Sequence, residues 1–130
     1  MNKTQAARML TMAAFVEKLP RHNLDQLRYV CLNDGEAISD LLNPQCSSSC
    51  CTLGWTAILD QKNWRLDMTA WGAVLVTYRK SGMNAFSGAR KYFGISIDEV
   101  EKLFGSTLRT PARQASMMRK IAAKHGWEEA

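Results

Sequence analysis

The chain has 130 residues, enough for one domain to bury a core without help from disulfides or metal. Its 46% apolar and 22% charged content is ordinary for a globular protein and excludes a disordered or low-complexity chain, and its net charge of +5 is modest. The longest clean apolar run, Trp71 to Val76, is far too short to cross a bilayer, so no membrane partner is expected.

At the N-terminus, Lys3 and Arg8 precede the stretch MLTMAAFV, which superficially looks like a signal peptide. Glu17-Lys18 interrupts it and no small-residue cleavage site follows, so it reads as an amphipathic helix and the expected location is the cytoplasm. The four cysteines are then expected to stay reduced. Ala6, Met9, Leu10, Ala13 and Val16 form a helical stripe over residues 4–19, started at Thr4 and stopped at Pro20. Asn23 can cap a second short helix holding Leu24, Leu27 and Val30, but LRYVCL is equally good strand sequence. Asn33-Asp34-Gly35 is a turn, and EAISDLLN reads as a short helix ended by Pro44.

Ser48 or Ser49 is placed to cap a helix from about Cys50 to Leu59. In WRLDMTAWGAVLVTYRKSG, tryptophan, valine, threonine and tyrosine cluster before Ser81-Gly82, which predicts a strand or a two-stranded hairpin. Helix returns at about Asn84 to Phe93 and breaks at Gly94. The run Ser96 to Glu99 is a capping box that opens a helix reaching Phe104, with Gly105 as its stop. Thr110-Pro111 supplies a cap and a first-turn proline for the last helix, about residues 111–125, closed by Gly126. The expected architecture is therefore mainly α: a small single-domain helical bundle over residues 1–130, with a short β-hairpin near residues 64–80. Its expected core is Trp55, Phe86, Phe93, Ile95, Val100, Leu103, Phe104 and Met118.

The last helix carries the sharpest feature. Thr107 to His125 contains Arg109, Arg113, Arg119, Lys120 and Lys124 and no acid. At about 100° per residue, Arg113, Lys120 and Lys124 fall within a narrow arc that includes Met117, with Ala115, Met118 and Ala122 opposite. The apolar side is suited to docking on the core and the cationic side to an anionic partner, either nucleic acid or an acidic protein surface. An ordinary solvated face has the same pattern. Arg90-Lys91 and Arg79-Lys80 are candidates for extending that surface.

The cysteines offer less. Structural zinc takes four thiolate or imidazole ligands, usually as two short pairs. Here C-x3-C-C at Cys46, Cys50 and Cys51 stands with Cys31 upstream and only His22 and His125 to complete a set. Adjacent Cys50 and Cys51 would point about 100° apart on a helix, so no metal and no other cofactor is expected. The C-x-x-C redox spacing is absent, and neither histidine lies in a nucleophile-activating context. Cys51 reads as a small apolar residue in the packing around Gly54 and Trp55.

Residues 85–104 have the layout of a helix-turn-helix. Gly94 stands at the turn, and Ala89, Phe93, Ile95, Val100 and Leu103 fill the apolar positions. Arg90 occupies a position, four residues before the glycine, that should be small, and the would-be reading helix begins with Asp98, Glu99 and Glu101, which phosphates repel. Two packed helices joined by a glycine turn account for the same pattern. Exposed aromatics interleaved with the cations, as single-strand binders use, are not evident. No Walker glycine loop, G-x-S-x-G or H-E-x-x-H occurs, and no enzymatic activity is expected.

The stretch CSSSCCTLGWTA resembles the pattern C-G-T-x-x-C-x-x-G-W-A of a loose group of small uncharacterised bacterial and bacteriophage proteins, on which Cys46, Cys51, Gly54, Trp55 and Ala57 fall. VEKLP and ARKYFGISIDEVEKLF are similar to two further motifs of that group. The resemblance covers about residues 12–60 and 85–105; serines replace the Gly-Thr after the first cysteine, and the middle and the basic last helix are extra. It implies a phage or mobile-element context and no particular activity. Joined to the charge, it leads to the expectation of a non-enzymatic inhibitor, for example an anti-CRISPR or other anti-defence protein, acting in the host cytoplasm. That protein would meet a host protein or ribonucleoprotein complex through Arg109, Arg113, Arg119, Lys120 and Lys124, with Arg90 and Lys91 beside them. The alternative is a helix-turn-helix transcriptional regulator.

Overall fold

Asn2 starts the first helix. Its side chain accepts from the Gln5 backbone N–H at 2.9 Å while the Gln5 side chain accepts from the Asn2 N–H at 2.8 Å, so two amides that open the helix are satisfied together. The structure, a computed structural model, describes residues 1–24, 30–31, 49–68, 74–80, 82–105 and 109–127. The expected helix over residues 4–19 is Lys3–Glu17 (α1), and Thr4, taken as its cap, lies in its first turn because Asn2 and Gln5 already close the end. Ala6, Met9, Met12, Ala13 and Val16 are its buried stripe, while Leu10 is half-buried.

After Pro20 the chain makes a single 3-10 turn, Arg21–Asn23; residues 25–29 of the short helix that Asn23 could cap lie outside the described residues. Val30–Cys31 (β1) pairs antiparallel with Ser49–Cys50 (β2), so the strand reading of LRYVCL holds at those two residues. The turn at Asn33–Gly35, the helix expected over EAISDLLN, and Cys46 lie outside the described residues. Because Ser49 and Cys50 are engaged in that ladder, the next helix starts later than expected, at Thr52–Leu59 (α2), with Cys51 and not a serine as its cap. The Cys51 Sγ accepts from the Gly54 N–H at 3.4 Å. Thr52 through Ile58 are all buried, as befits a helix surrounded by the rest of the core. Within it, Trp55 is 3% exposed, packs on Phe15 and donates its indole N–H to the Asn23 carbonyl at 2.8 Å.

The expected hairpin is present as Trp64–Met68 (β3) and Val74–Tyr78 (β4), in register Trp64 with Tyr78 and Met68 with Val74. A short third strand, Met83–Asn84 (β5), was not foreseen; it pairs with the end of β4. Asn84 also caps Ala85–Phe93 (α3), its side chain accepting from the Ser87 N–H at 3.0 Å. Gly94, at φ 66°, adopts the left-handed conformation that ends α3. Ile97–Phe104 (α4) begins with the predicted capping box of Ser96 and Glu99, and Pro111–Lys124 (α5) with Thr110 as cap.

The fold is thus mostly helical, with five α-helices, a small three-stranded antiparallel sheet of β3, β4 and β5, and the separate β1–β2 pair among the described residues. Of the expected core, Trp55, Phe93, Ile95, Val100, Leu103, Phe104 and Met118 are buried. Phe86 is not: α3 buries Ala85, Gly88, Ala89, Tyr92 and Phe93, and Phe86 lies off that face at 37% exposure. The first and last helices lie against each other. Trp127 just beyond α5 donates to the Met1 carbonyl at 3.1 Å, and Arg119 pairs with Glu17 near the other end of α1. No helix among the described residues is long and apolar enough to cross a membrane.

Gly88 lets α3 settle on the sheet. A Cβ there would fall 2.5 Å from the Tyr78 Cβ and 3.2 Å from the Trp64 ring. Gly88→Ala is expected to lose about 1–3 kcal/mol, read as a lower urea midpoint at unchanged slope. A variant as stable as the parent would show that sheet and helix are not in tight contact.

Candidate functional site

Proline at the first position, the Thr110 cap and a run of alanine, methionine, lysine and arginine make α5 helical, and its pattern decides which side is presented. Gln114, Ala115, Met118, Ile121 and Ala122 are buried, while Arg113, Lys120 and Lys124 are exposed. With a rise of 1.5 Å per residue, these three cations form one line about 16 Å long. Ala112, Ser116 and Ala123 are exposed on its flank, so the line is edged by small side chains. Met117, placed in the same arc, is half-buried and packs on the core.

The other predicted contact residues have different positions. Arg109 is half-buried, and its guanidinium is turned onto the C-terminal end of α4. It donates to the Leu103 carbonyl at 3.2 Å, to the Lys102 carbonyl and to Gln114 Oε1 at 2.9 Å. Gln114, fully buried, donates to the same Leu103 carbonyl at 2.9 Å. Burial, and then the Arg113 charge, draw the Arg109 pKa below the usual guanidinium value. Arg109 therefore closes carbonyls that the end of α4 leaves open, a structural duty. Arg119 is paired with Glu17 of α1. Arg90 and Lys91 are exposed in the last turn of α3, a helix packed on α1, α4 and the sheet, so they stand on a different element from the α5 line.

Lys124 also belongs to a clamp between α4 and α5. Glu99 is 6% exposed; its Oε1 accepts from the Ser96 N–H at 2.9 Å, and His125 Nε2 lies 3.0 Å from both carboxylate oxygens. Lys124 Nζ stands 3.8 Å away. Burial opposes ionisation of Glu99, but the Ser96 and His125 hydrogen bonds and the His125 charge outweigh it and hold the carboxyl below its usual range.

The Gly94 elbow has the predicted apolar positions inside, with Ala89, Phe93, Ile95, Val100 and Leu103 all buried. Arg90 is exposed and does not enter the helix crossing. The open side of α4 shows Ile97, Asp98, Glu101 and Lys102, an acidic balance, and the elbow is docked on α1, where Gln5 Nε2 donates to the Lys91 carbonyl at 2.9 Å.

A second cluster was not foreseen. A cleft of about 330 Å³ runs between α1 and α2, with Arg8, Asp60 and Tyr92 among its lining residues. The Tyr92 hydroxyl donates to Asp60 Oδ2 at 2.7 Å, and Asn63 Nδ2 donates to the same oxygen at 2.9 Å. The Arg8 guanidinium lies over the Tyr92 ring, 4.2 Å from its centroid, and donates to the Tyr92 carbonyl at 2.9 Å. Partial burial works against the Asp60 charge, but the bonds from Tyr92 and Asn63 and the field of Arg8 prevail and keep its pKa low. Burial, then the bond to Asp60 and its charge, push the Tyr92 phenol well above its ordinary value. The sequence gives a partial signal for this site: Thr4, Ala7, Arg8 and Thr11 share one face of α1 away from its apolar stripe.

Among the described residues no three histidine, cysteine, aspartate or glutamate side chains come together as a metal site. Cys51 is buried, with its Sγ engaged by the Gly54 N–H. No protein-family model, curated protein or solved structure matches the chain.

The clamp has a pH signature. The folded pKa of Glu99 is depressed, so its stabilising contribution is complete above the unfolded glutamate value of about 4.3 and is lost as pH falls through the lower folded value. Denaturant melts from pH 6 down to pH 3 should show stability falling more steeply in the parent than in Glu99→Gln. Parallel profiles would remove Glu99 as a source of acid sensitivity.

Proposed function

We propose that the chain is a non-enzymatic binding protein, a phage or mobile-element accessory protein that inhibits a host complex through the cationic face of α5. An anti-CRISPR or other anti-defence inhibitor is one form of this function. The observation that carries the reading is the single line of Arg113, Lys120 and Lys124 on a helix whose opposite side is buried. The helix itself is fixed against α1 and α4, so the line is presented on a rigid element. Its geometry suits one acidic surface, a host protein or a ribonucleoprotein, laid along the helix. A helix seated in a DNA major groove has phosphates on both sides and is served by cations on both flanks, whereas here one flank carries Ala112, Ser116 and Ala123. The resemblance of about residues 12–60 and 85–105 to a loose group of small uncharacterised bacterial and bacteriophage proteins supports the same context.

The regulator reading would use α3, Gly94 and α4 with the basic helix as a phosphate clamp. Asp98 and Glu101 on the open side of α4 weigh against it.

The test is a pull-down from bacterial lysate with the tagged chain, with and without nuclease, repeated with Arg113→Glu/Lys120→Glu. The expected result is one complex of defined stoichiometry that survives nuclease and is weakened roughly tenfold or more by the double reversal. Because both residues are exposed, the melting temperature should move by no more than about 2–4 °C. Partners that vanish with nuclease, together with steeply salt-dependent binding to a preferred sequence, would establish the DNA-binding reading instead. Capture unaffected by the double reversal would remove α5 from the interface.

A further inference from the structure

We propose that the cleft between α1 and α2 is a binding site for a small neutral molecule carrying an amide or lactam edge, with Arg8 donating to its carbonyl and Asp60 accepting from its N–H. The site is independent of the α5 face, and none of its residues belongs to that face.

Size and lining come first. At about 330 Å³ the cleft is at the lower end of the range for small-molecule pockets. Its walls include Ala7 and Met12 from α1 and Leu59 from α2. Leu59 is 40% exposed at the end of an otherwise buried helix, an apolar side chain the chain itself leaves half uncovered. These walls suit an apolar body of modest size.

The polar end selects the head group. Arg8 is held by two contacts, the Tyr92 ring beneath it and the Tyr92 carbonyl on Nη1. A guanidinium has five N–H donors, so this anchoring leaves donors for a ligand. Asp60 is oriented by Tyr92 and Asn63, both on Oδ2, and an ionised carboxylate has lone pairs for further donors. Donor and acceptor are thus pre-set by contacts within the chain, and a ligand need not order them. Their charges oppose. A carboxylate ligand attracted by Arg8 meets the Asp60 charge, and an ammonium attracted by Asp60 meets Arg8. A neutral edge presenting C=O beside N–H satisfies both without adding charge. Thr4 and Thr11, from the same face of α1, also line the cleft.

The experiment is an amide-resolved NMR titration of the full chain with three probes of equal carbon number: δ-valerolactam, pentanoate and pentylamine. Valerolactam is expected to shift the amides of Thr4, Arg8, Thr11 and Asp60 saturably, with a Kd on the order of millimolar. Pentanoate and pentylamine should bind about fivefold or more weakly, because each meets one opposing charge. Asp60→Asn should move the preference toward pentanoate, and Arg8→Gln toward pentylamine. Should either variant fail to fold, the three-probe comparison on the unaltered chain still decides. No saturable lactam shift, shifts centred away from the cleft, or a charged probe binding as well as the lactam would each overturn the proposal.

Discussion

A chain of rings runs from Trp64 through Tyr78 and Tyr92 to Phe93 and Phe104, with neighbouring centroids 4.8–5.9 Å apart. It passes from β3 to β4, across to α3, and on to α4, so one continuous aromatic contact ties the sheet to two helices. Tilted and edge-on pairs of this kind add about 0.5–1.5 kcal/mol each beyond the area they bury. Gly88 is the permissive residue, since only a bare backbone lets Trp64 and Tyr78 come so near α3. The polar cleft depends on the same contact. Tyr92 is fixed among its aromatic neighbours by one part of its ring, and its hydroxyl and carbonyl then fix Asp60 and Arg8. Since the phenol stays protonated well past neutrality, it remains a donor to Asp60 across the physiological range.

Helix ends were legible in the sequence at several places where the chemistry is local, although the equally local Asn2–Gln5 box of α1 was missed in favour of Thr4. Ser96 with Glu99, Thr110 with Pro111, and Gly94 each act within a few residues, and each marks the boundary seen in the fold. Boundaries failed where a distant partner intervened. The start of α2 is displaced because Ser49 and Cys50 pair with a strand nearly twenty residues earlier, which no cap preference reveals. Phe86 reads as core by residue type, yet the face α3 buries is set by Gly88 and Ala89 lying on the sheet. The third strand is two residues long, too short for alternation to show. The cleft was legible only on its α1 side. Asp60 and Tyr92 are joined across 32 positions and Arg8 and Tyr92 across 84, so composition and periodicity have no access to them.

Thr107 to His125 holds five cations, and folding divides them by task. Arg109 became a closure for α4 because its side chain, just ahead of α5, can reach carbonyls that lack helical partners. Arg119 is angled toward α1 and meets Glu17 there. Lys124 is exposed yet lies near Glu99, which gives the α4–α5 clamp a cation as well as a histidine. Arg113 and Lys120 remain as the members of the line whose position owes least to the interior. A surface can thus look uniformly basic in sequence while only part of it is available for recognition.

The packing of α1 on α5 has a consequence in time. α1 is synthesised about a hundred residues before α5, the helix it lies against. At ordinary elongation rates of roughly 5–20 residues per second, α1 waits on the order of 5–20 seconds for α5 to be made. The contact between α1 and α5 therefore forms after those among α1, α2, α3 and the sheet have become available. A contact of such sequence separation costs loop-closure entropy before it contributes, which slows folding.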